Sequence, residues 1–420
     1  MYCKRIFKRV STEKKMTTLT AEQMARVKAT APVLAAHGST ITRHFYARMF
    51  RHHPELKNLF NQTHQRAGGS QPEALARAVY AYAANIDNLG ALGSAVSRIA
   101  NKHVSLSVRP EHYPIVGEHL LASIVEVLGD AVDAATLEAW QAAYAQLAQV
   151  LAGVEAKLYE AAPWSGYRPF RVARKVRESD EITSFYLEPT DGGAAPRFEP
   201  GQYLTVKRYV GDLGVDQPRQ YSLSDAPHGK WLRISVKREA GREGGGQPVP
   251  AGKVSTLLHE GVEEGAIVEV TAPMGDFTLA REAATPVVLI SGGVGITPMV
   301  SMASALSEAG SPRRIHFLHA CRSGRVHAFR DWLNALVARH SNATRQVVYE
   351  LVGPDDRPGV DHDREGRLTP KLLRAAILPD ADYYLCGPVA FMTAQRDALV
   401  ALGVAPERVH TEIFGSGAIE

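Results

Sequence analysis

The spacing of apolar positions changes twice along the chain, and each change predicts a different architecture. Between residues 20 and 160 apolar side chains recur every three or four positions and never alternate, which predicts helices only. Thr20, followed by Glu22-Gln23, can cap a helix running to about Ala36, with Gly38 as its stop. Ser39–Phe50 reads as a second helix with Ile41, Phe45 and Met49 on one face. Pro54-Glu55-Leu56 opens a short helical turn, since proline is tolerated in a first turn. Residues 63–71, with Gly68-Gly69-Ser70, read as loop, and helices follow at about 72–87, 91–107, 111–129 and 134–160. Six or seven helices without a strand pattern predict a packed α domain over residues 20–162.

After Ala161 and the linker Pro163-Trp164-Ser165-Gly166 the pattern becomes short β-branched or alternating runs. These are Phe170–Val176, Ile182–Glu188, Tyr203–Val206, Gln220–Ser224, Leu232–Lys237 and Ile267–Ala272, separated by Gly/Pro/Asp turns. They predict an antiparallel barrel or sandwich over residues 163–280. From residue 281 to 420 strand-like runs at 286–290, 315–320, 347–351 and 381–385 alternate with helices at about 298–308, 326–340, 369–377 and 388–402. Alternation of this kind predicts a parallel sheet with helical crossovers. The fold class is therefore multidomain: all-α, then antiparallel β-barrel, then α/β. No internal repeat is present.

Composition adds exclusions. No run of 18 apolar residues exists, so no membrane span is predicted. Cys3, Cys321 and Cys386 form no CxxC pair, which fits a reducing compartment and a cytoplasmic location rather than a disulfide framework or structural zinc. The net charge of +4 is a tail effect: residues 1–15 hold six bases and one acid, leaving 42 bases against 43 acids elsewhere. The neutral body gives no support for nucleic-acid binding. Residues 1–19 lack an apolar signal core and are expected to be a disordered extension, and Met16 is a second possible start.

The candidate chemistry lies on turns and strand ends. Ser291-Gly292-Gly293-Val294-Gly295-Ile296-Thr297-Pro298 follows an apolar strand and opens a helix, so its glycines permit close backbone approach and the helix start favours a phosphate. The spacing departs from GxGxxG. Cys386-Gly387-Pro388 repeats the arrangement, and two such loops mark a ligand crevice in an open α/β sheet. In the barrel, Arg219-Gln220-Tyr221-Ser222 offers a guanidinium, a ring and a hydroxyl within four residues, suited to a ligand flat at one end and anionic at the other. Val254-Ser255 could present backbone N–H groups to a second phosphate.

Taken in order, Pro200-Gly201-Gln202-Tyr203, Arg219–Ser224, the segment from Gly252 to Leu257, Gly292–Met299 and Cys386-Gly387-Pro388 resemble the ferredoxin–NADP reductase family. The resemblance implies that Tyr203, Arg219, Gln220, Tyr221, Ser222, Val254 and Ser255 contact FAD. It implies that Gly293, Val294, Gly295, Ile296, Thr297, Pro298, Cys386 and Gly387 lie against the nicotinamide nucleotide. It places Glu412, Ile413, Phe414 and Gly415 at the flavin, with Phe414 over the isoalloxazine ring. For Cys386 a packing role is expected over redox chemistry.

In the helical region His103 shares a face with Ile99, Ala100 and Leu106. An imidazole in an apolar stripe needs a partner, and a metal is one option. His44-Phe45-Tyr46, Met49-Phe50, Pro54-Glu55-Leu56, Phe60-Asn61, Gln71 to Leu75 and Lys102-His103 resemble a bacterial globin. A globin fused to such a reductase is the layout of the flavohaemoglobins, and the match runs from about residue 20 to 416. It implies one haem b with His103 as proximal ligand, Tyr113 and Glu155 as its hydrogen-bonded network, and Tyr46, Gln71 and Leu75 on the distal side. Gly69-Ser70 reads as a one-residue insertion before Gln71, and Lys253 stands where the family often has Gln or Tyr.

The implied activity is nitric oxide dioxygenation. NAD(P)H is the hydride donor, one FAD splits the electron pair for the haem, and NO and O2 become nitrate. The implied partners are small molecules acting on a monomer. An apolar distal pocket would also take a lipid tail or an azole. Two alternatives stay open: an oxygen-binding haemoprotein with its own ferric-haem reductase, and a general NAD(P)H-dependent flavin, quinone or ferric reductase. Arg322 and Ser323 could meet a 2′-phosphate or form a solvated loop, so NADH against NADPH is undecided at the level of sequence.

Overall fold

The structure is a computed structural model and describes residues 18–63, 69–241 and 249–414. The extension expected to be disordered lies outside the described residues up to residue 17. The chain divides into two compact units. One holds the described residues up to Pro54, with Pro72–Ala100 and Arg109–Leu158; the other holds the described residues of Glu55–Gln71, Asn101–Val108 and those from Tyr159 onward.

The first unit is built from helices. α1 (Ala21–Ala29) starts where the capping signal predicts: Gln23 N–H donates to Thr20 Oγ1 at 3.1 Å, and Thr20 N–H donates to Gln23 Oε1 at 3.0 Å. It does not run to Ala36. It ends at Ala29, and α2 (Ala31–His52) continues through Gly38, which the sequence reading took for a stop. Pro32 in the first turn of α2 has no N–H to give a continuing helix, so the break falls there. Gly38 instead marks a close approach: a Cβ at this position would sit 3.3 Å from Ala76 Cβ in α3 (Ser70–Ala84). α2 buries Leu34, Ile41, Phe45, Tyr46 and Met49 along one stripe. α3 begins at Ser70, inside the span expected to be loop, so Gln71 lies in its first turn. α4 (Gly93–Ser105), α5 (His112–Leu128) and α6 (Ala134–Ala161) follow within two residues of the expected bounds.

The second unit joins two sheets. β1 (Tyr167–Arg177), β2 (Ile182–Pro189), β3 (Tyr203–Val210), β4 (Val215–Ser222), β5 (Leu232–Lys237) and β6 (Ile267–Thr271) pair antiparallel in the order β4-β3-β6-β1-β2-β5. A bridge between Leu223 and Ile234 joins the two ends and closes the barrel around Phe170, Phe185, Leu204 and Val206. α7 (Lys253–Gly261) precedes β6.

The second sheet contains β7 (Val287–Gly292), β8 (Ile315–Cys321), β9 (Ala343–Tyr349), β10 (Arg364–Glu365), β11 (Asp382–Cys386) and β12 (Val409–Glu412). All are parallel, in the order β10-β9-β8-β7-β11-β12. The crossovers are α8 (Ile296–Glu308), α9 (Arg330–Arg339), α10 (Pro370–Ala376) and α11 (Val389–Ala401). β7 is buried along its whole length, as a central parallel strand covered on both faces must be. Barrel and sheet meet closely. Gly201 has φ +106°, and a Cβ there would fall 2.7 Å from the Met302 methyl of α8. Ser301 Oγ donates to the Asp225 carbonyl at 2.7 Å.

Candidate functional site

Strand register sorts the barrel's candidates. Arg219 pairs with Val206, Gln220 with Thr205, Tyr221 with Leu204 and Ser222 with Tyr203. Alternation puts Arg219 and Tyr221 on one face and Gln220 and Ser222 on the other. The Arg219 guanidinium donates to the Pro218 carbonyl at 2.8 Å and to Thr63 Oγ1 at 3.4 Å. Among the described residues it has no carboxylate within ion-pair distance, and burial pulls its pKa below the usual arginine value. A desolvated cation without a carboxylate fits an anionic ligand. Burial raises the phenol of Tyr221 beside it. Tyr203 lies against Gly275, whose φ of +120° and Cβ position 3.0 Å from the ring leave room for hydrogen alone. Its phenol is raised by burial, with a smaller push from Glu412.

Val254 and Ser255 occupy the first turn of α7 and are buried. Ser255 Oγ donates to the Gly252 carbonyl at 3.0 Å and accepts from Glu239 N–H at 3.2 Å. Lys253, the departure from the family pattern, is ion-paired with Asp212.

The α/β candidates meet at the carboxyl ends of β7 and β11. Gly293 has φ +54°, and a Cβ there would meet nothing within 4 Å, so the turn opens onto space. At Gly295 a Cβ would fall 2.2 Å from the Cys386 carbonyl oxygen: the two loops touch backbone to backbone. Val294 is half-buried, whereas Ile296, Thr297 and Pro298 are buried, and Thr297 Oγ1 donates to the Val294 carbonyl at 3.1 Å. Gly387 comes within 3.1 Å, measured from a Cβ, of Gly292 N. Cys386 is fully buried and its thiol pKa is raised well above the usual value by burial, with Glu412 adding. It lies in the apolar core of the α/β fold. Glu412 ends β12, Ile413 follows it, and Phe414 is 43% exposed; Gly415 lies outside the described residues. A glycine cradle open on one side, at the N-terminal end of a helix, fits a nucleotide phosphate.

His103 sits in the last turn of α4. Asn101 and Ser105, two residues to either side, are buried and hydrogen-bonded to the barrel. Asn101 Oδ1 accepts from Gly275 N–H at 2.9 Å. Ser105 Oγ accepts from Gln220 Nε2 at 2.6 Å and donates to the Lys102 carbonyl at 2.8 Å. Sequence reasoning missed both residues, because nothing local marks a partner more than a hundred positions away.

In the helical unit the Tyr113 hydroxyl donates to Glu155 Oε1 at 2.6 Å, and Glu155 is 2% exposed. The Tyr144 hydroxyl donates to the Tyr113 carbonyl at 2.6 Å. Tyr144 packs so tightly on α5 that a Cβ at Gly117 would lie 2.5 Å from its ring. Tyr46 is buried, stacked on Phe50 at 5.9 Å and tilted against Phe45 at 4.8 Å. Gln71 lies in the first turn of α3 with Leu75 a turn further on, both half-buried. An imidazole in the last turn of a helix fits a haem iron, and a buried carboxylate–phenol pair is the kind of support such an imidazole uses.

A helical fold with a candidate haem histidine, followed by a barrel and a nucleotide-type α/β fold, defines a haem–reductase fusion. Comparison with known proteins bears this out. The globin family profile matches residues 43–151 and the oxidoreductase NAD-binding domain profile matches residues 289–397. A flavohemoprotein of Bordetella pertussis is 56% identical over 409 residues, covering 96% of this chain and all of the relative. The crystal structure of flavohemoglobin from Malassezia yamatoensis with bound FAD and heme is 29% identical, with a TM-score of 0.82 over 94% of this chain and all of that one. The FAD/NAD-binding domain of nitric oxide dioxygenase from Vibrio cholerae is 39% identical, with a TM-score of 0.51 over 59% of this chain and 98% of that one. The chain belongs to the flavohemoprotein family. It is an NAD(P)H-linked oxidoreductase. Among the described residues no helix is long and apolar enough to cross a membrane.

Proposed function

We propose that the chain is a nitric oxide dioxygenase, converting NO and O2 to nitrate at the expense of NAD(P)H. The observation that carries the reading is the seam around His103. Asn101 and Ser105 flank the candidate iron ligand and hydrogen-bond to Gly275 and Gln220, the latter in the candidate flavin strand. A reductase for which haem was incidental would have no need to tie its flavin strand to the histidine helix.

Haem iron would be held by His103, and FAD by Tyr203, Arg219–Ser222, Val254 and Ser255. When bound, FAD supplies the conversion of a hydride's electron pair into single electrons, and haem supplies the one-electron acceptor that binds O2. Arg219 offers a flavin phosphate a positive charge that no carboxylate among the described residues claims. Gly293 lets a dinucleotide approach the backbone at the start of α8, and Gly295 lets the Cys386 loop close against it. Glu155, accepting a hydrogen bond from the Tyr113 hydroxyl at 2.6 Å, fixes that phenol's direction, and Tyr144 fixes the backbone that carries it. Such a pair serves to orient a ligating imidazole and raise its basicity. Tyr46 would place a hydroxyl on the distal side, with Gln71 and Leu75 beside it, in a pocket able to accept a lipid tail or an azole.

The test is NADH-dependent NO consumption in air by the haem- and FAD-loaded protein, alongside His103→Ala. The variant is expected to lose NO consumption while flavin reduction by NADH persists. Loaded wild-type protein that reduces cytochrome c but leaves NO untouched would overturn the reading.

A further inference from the structure

In a nucleotide-binding parallel sheet the residue that follows the second strand meets the adenosine ribose; an arginine there accommodates the 2′-phosphate of NADP. β8 is the second strand of this sheet, it pairs with β7, and Arg322 follows its last residue, Cys321. By position alone Arg322 would favour NADPH. Its surroundings reverse that expectation. The Arg322 guanidinium is ion-paired with Glu181, and its pKa is raised by that hydrogen bond first of all, with Glu239 adding a smaller electrostatic contribution. Three residues on, Arg325 is ion-paired with Asp180 at 2.7 Å, and its carbonyl accepts from Asp180 N–H at 3.0 Å.

Both acids belong to the β1–β2 hairpin of the barrel, and that hairpin is fixed. Glu178 and Ser179 N–H donate to the Ile182 carbonyl, Ile182 N–H donates to Ser179 Oγ at 3.2 Å, and Arg238 N–H donates to the Glu181 carbonyl at 2.7 Å. Arg322 is anchored too, its carbonyl accepting from Leu351 N–H at 2.8 Å. Of the other acids nearby, Glu350 is ion-paired with Arg367 at 2.5 Å and Glu239 with Lys237 at 3.0 Å, so neither stands in for Glu181.

We propose that Glu181 is a specificity-determining residue for the dinucleotide: by engaging Arg322 from the barrel side it withholds the guanidinium from a 2′-phosphate, so that NADH is preferred over NADPH. The proposal rests on the NAD(P)H reading of the α/β fold and assigns its selectivity to a residue outside that fold. A 2′-phosphate that captured Arg322 would have to break a contact joining the barrel to the nucleotide fold, next to the Asp180–Arg325 contact. Selectivity is thereby coupled to the seating of one fold on the other, and a carboxylate beside the pocket also repels a dianion.

The experiment is titration of the haem- and FAD-loaded protein with NADP+ and NAD+ in wild type, Glu181→Gln, Arg322→Ala and the double variant. Wild type is expected to bind NAD+ more tightly. Glu181→Gln is expected to tighten NADP+ about fivefold, the upper end of what an exposed ion pair carries, with NAD+ changed less than twofold. The gain is expected to vanish when Arg322→Ala is added. An unchanged NADP+ affinity in Glu181→Gln, or a gain that survives loss of Arg322, would overturn the proposal, as would a wild type that prefers NADP+. A loaded protein binding neither dinucleotide would overturn the nucleotide reading and this proposal with it.

Discussion

Arg219 shows how a single side chain can be unfavourable to the empty fold and favourable to the loaded one. Burial lowers its pKa, yet among the described residues its hydrogen bonds go only to a carbonyl and a threonine hydroxyl. Desolvation without a counter-charge costs stability, and an incoming phosphate restores what was lost. The two consequences have opposite signs. Arg219→Ala is expected to weaken FAD binding about 30-fold, the equivalent of roughly 2 kcal/mol for a hydrogen bond to a charged group. The same change should leave the melting temperature of the flavin-free protein unchanged or raise it. Equilibrium titration with FAD and thermal unfolding of the apoprotein read the two separately. A variant that kept full FAD affinity would remove Arg219 from the flavin site.

At the scale of elements, what was legible in the sequence was whatever periodicity alone decides. The apolar run from Pro286 to Ile290 could only be a buried strand, and β7 is buried throughout. The register that puts Arg219 and Tyr221 on one face follows from strand alternation. Helix ends were less legible, because they depend on what packs nearby. Gly38 carried a stop signal, but its missing Cβ serves the approach of α3, and Pro32 set the break. The contacts of α4 with the barrel were illegible: a serine and an asparagine near a helix end announce nothing until the fold brings Gln220 and Gly275 to them. Those contacts give α4 a task that can be measured. Ser105→Ala removes the acceptor of Gln220 and frees the last turn of the His103 helix from the flavin strand. Stopped-flow mixing with NADH is expected to show flavin reduction unchanged and haem reduction slowed several-fold, with a stability loss of about 1 kcal/mol for the lost hydrogen bond. Haem reduction at the wild-type rate would show that the seam only holds the elements together.

For the molecule as a whole, one source of acid sensitivity lies inside the α/β fold, where burial holds two histidines neutral. His319 and His327 stack at 4.9 Å, His327 Nδ1 lies 2.7 Å from the Tyr349 hydroxyl, and Tyr349 stacks on His362 at 5.0 Å; all four are buried. Burial lowers the pKa of His319 to about 3 and that of His327 well below its usual value. Both imidazoles are therefore neutral in the fold and take up protons near pH 6.5 only when it opens. The unfolded chain then binds more protons than the native one, so stability is complete above pH 6.5 and falls as the pH drops below it. For His319 alone the loss between pH 6.5 and 5 is about 1.6 kcal/mol, the slope nearing 1.36 kcal/mol per unit of pH as the unfolded imidazole becomes fully protonated. His319→Asn can keep a hydrogen bond to Ser291, which now lies 2.9 Å from His319 Nδ1, but cannot take up the proton. The variant is expected to be somewhat less stable at pH 7.5 and to lose less than wild type on acidification, so that the two denaturation midpoints converge towards pH 5. Urea unfolding followed by Trp332 fluorescence, in a protein whose Trp140, Trp164 and Trp231 are replaced by Phe, reads this fold, because the Trp332 ring packs on Phe317 in β8. Parallel acid limbs in the two proteins would mean that the buried imidazoles are not what acid attacks.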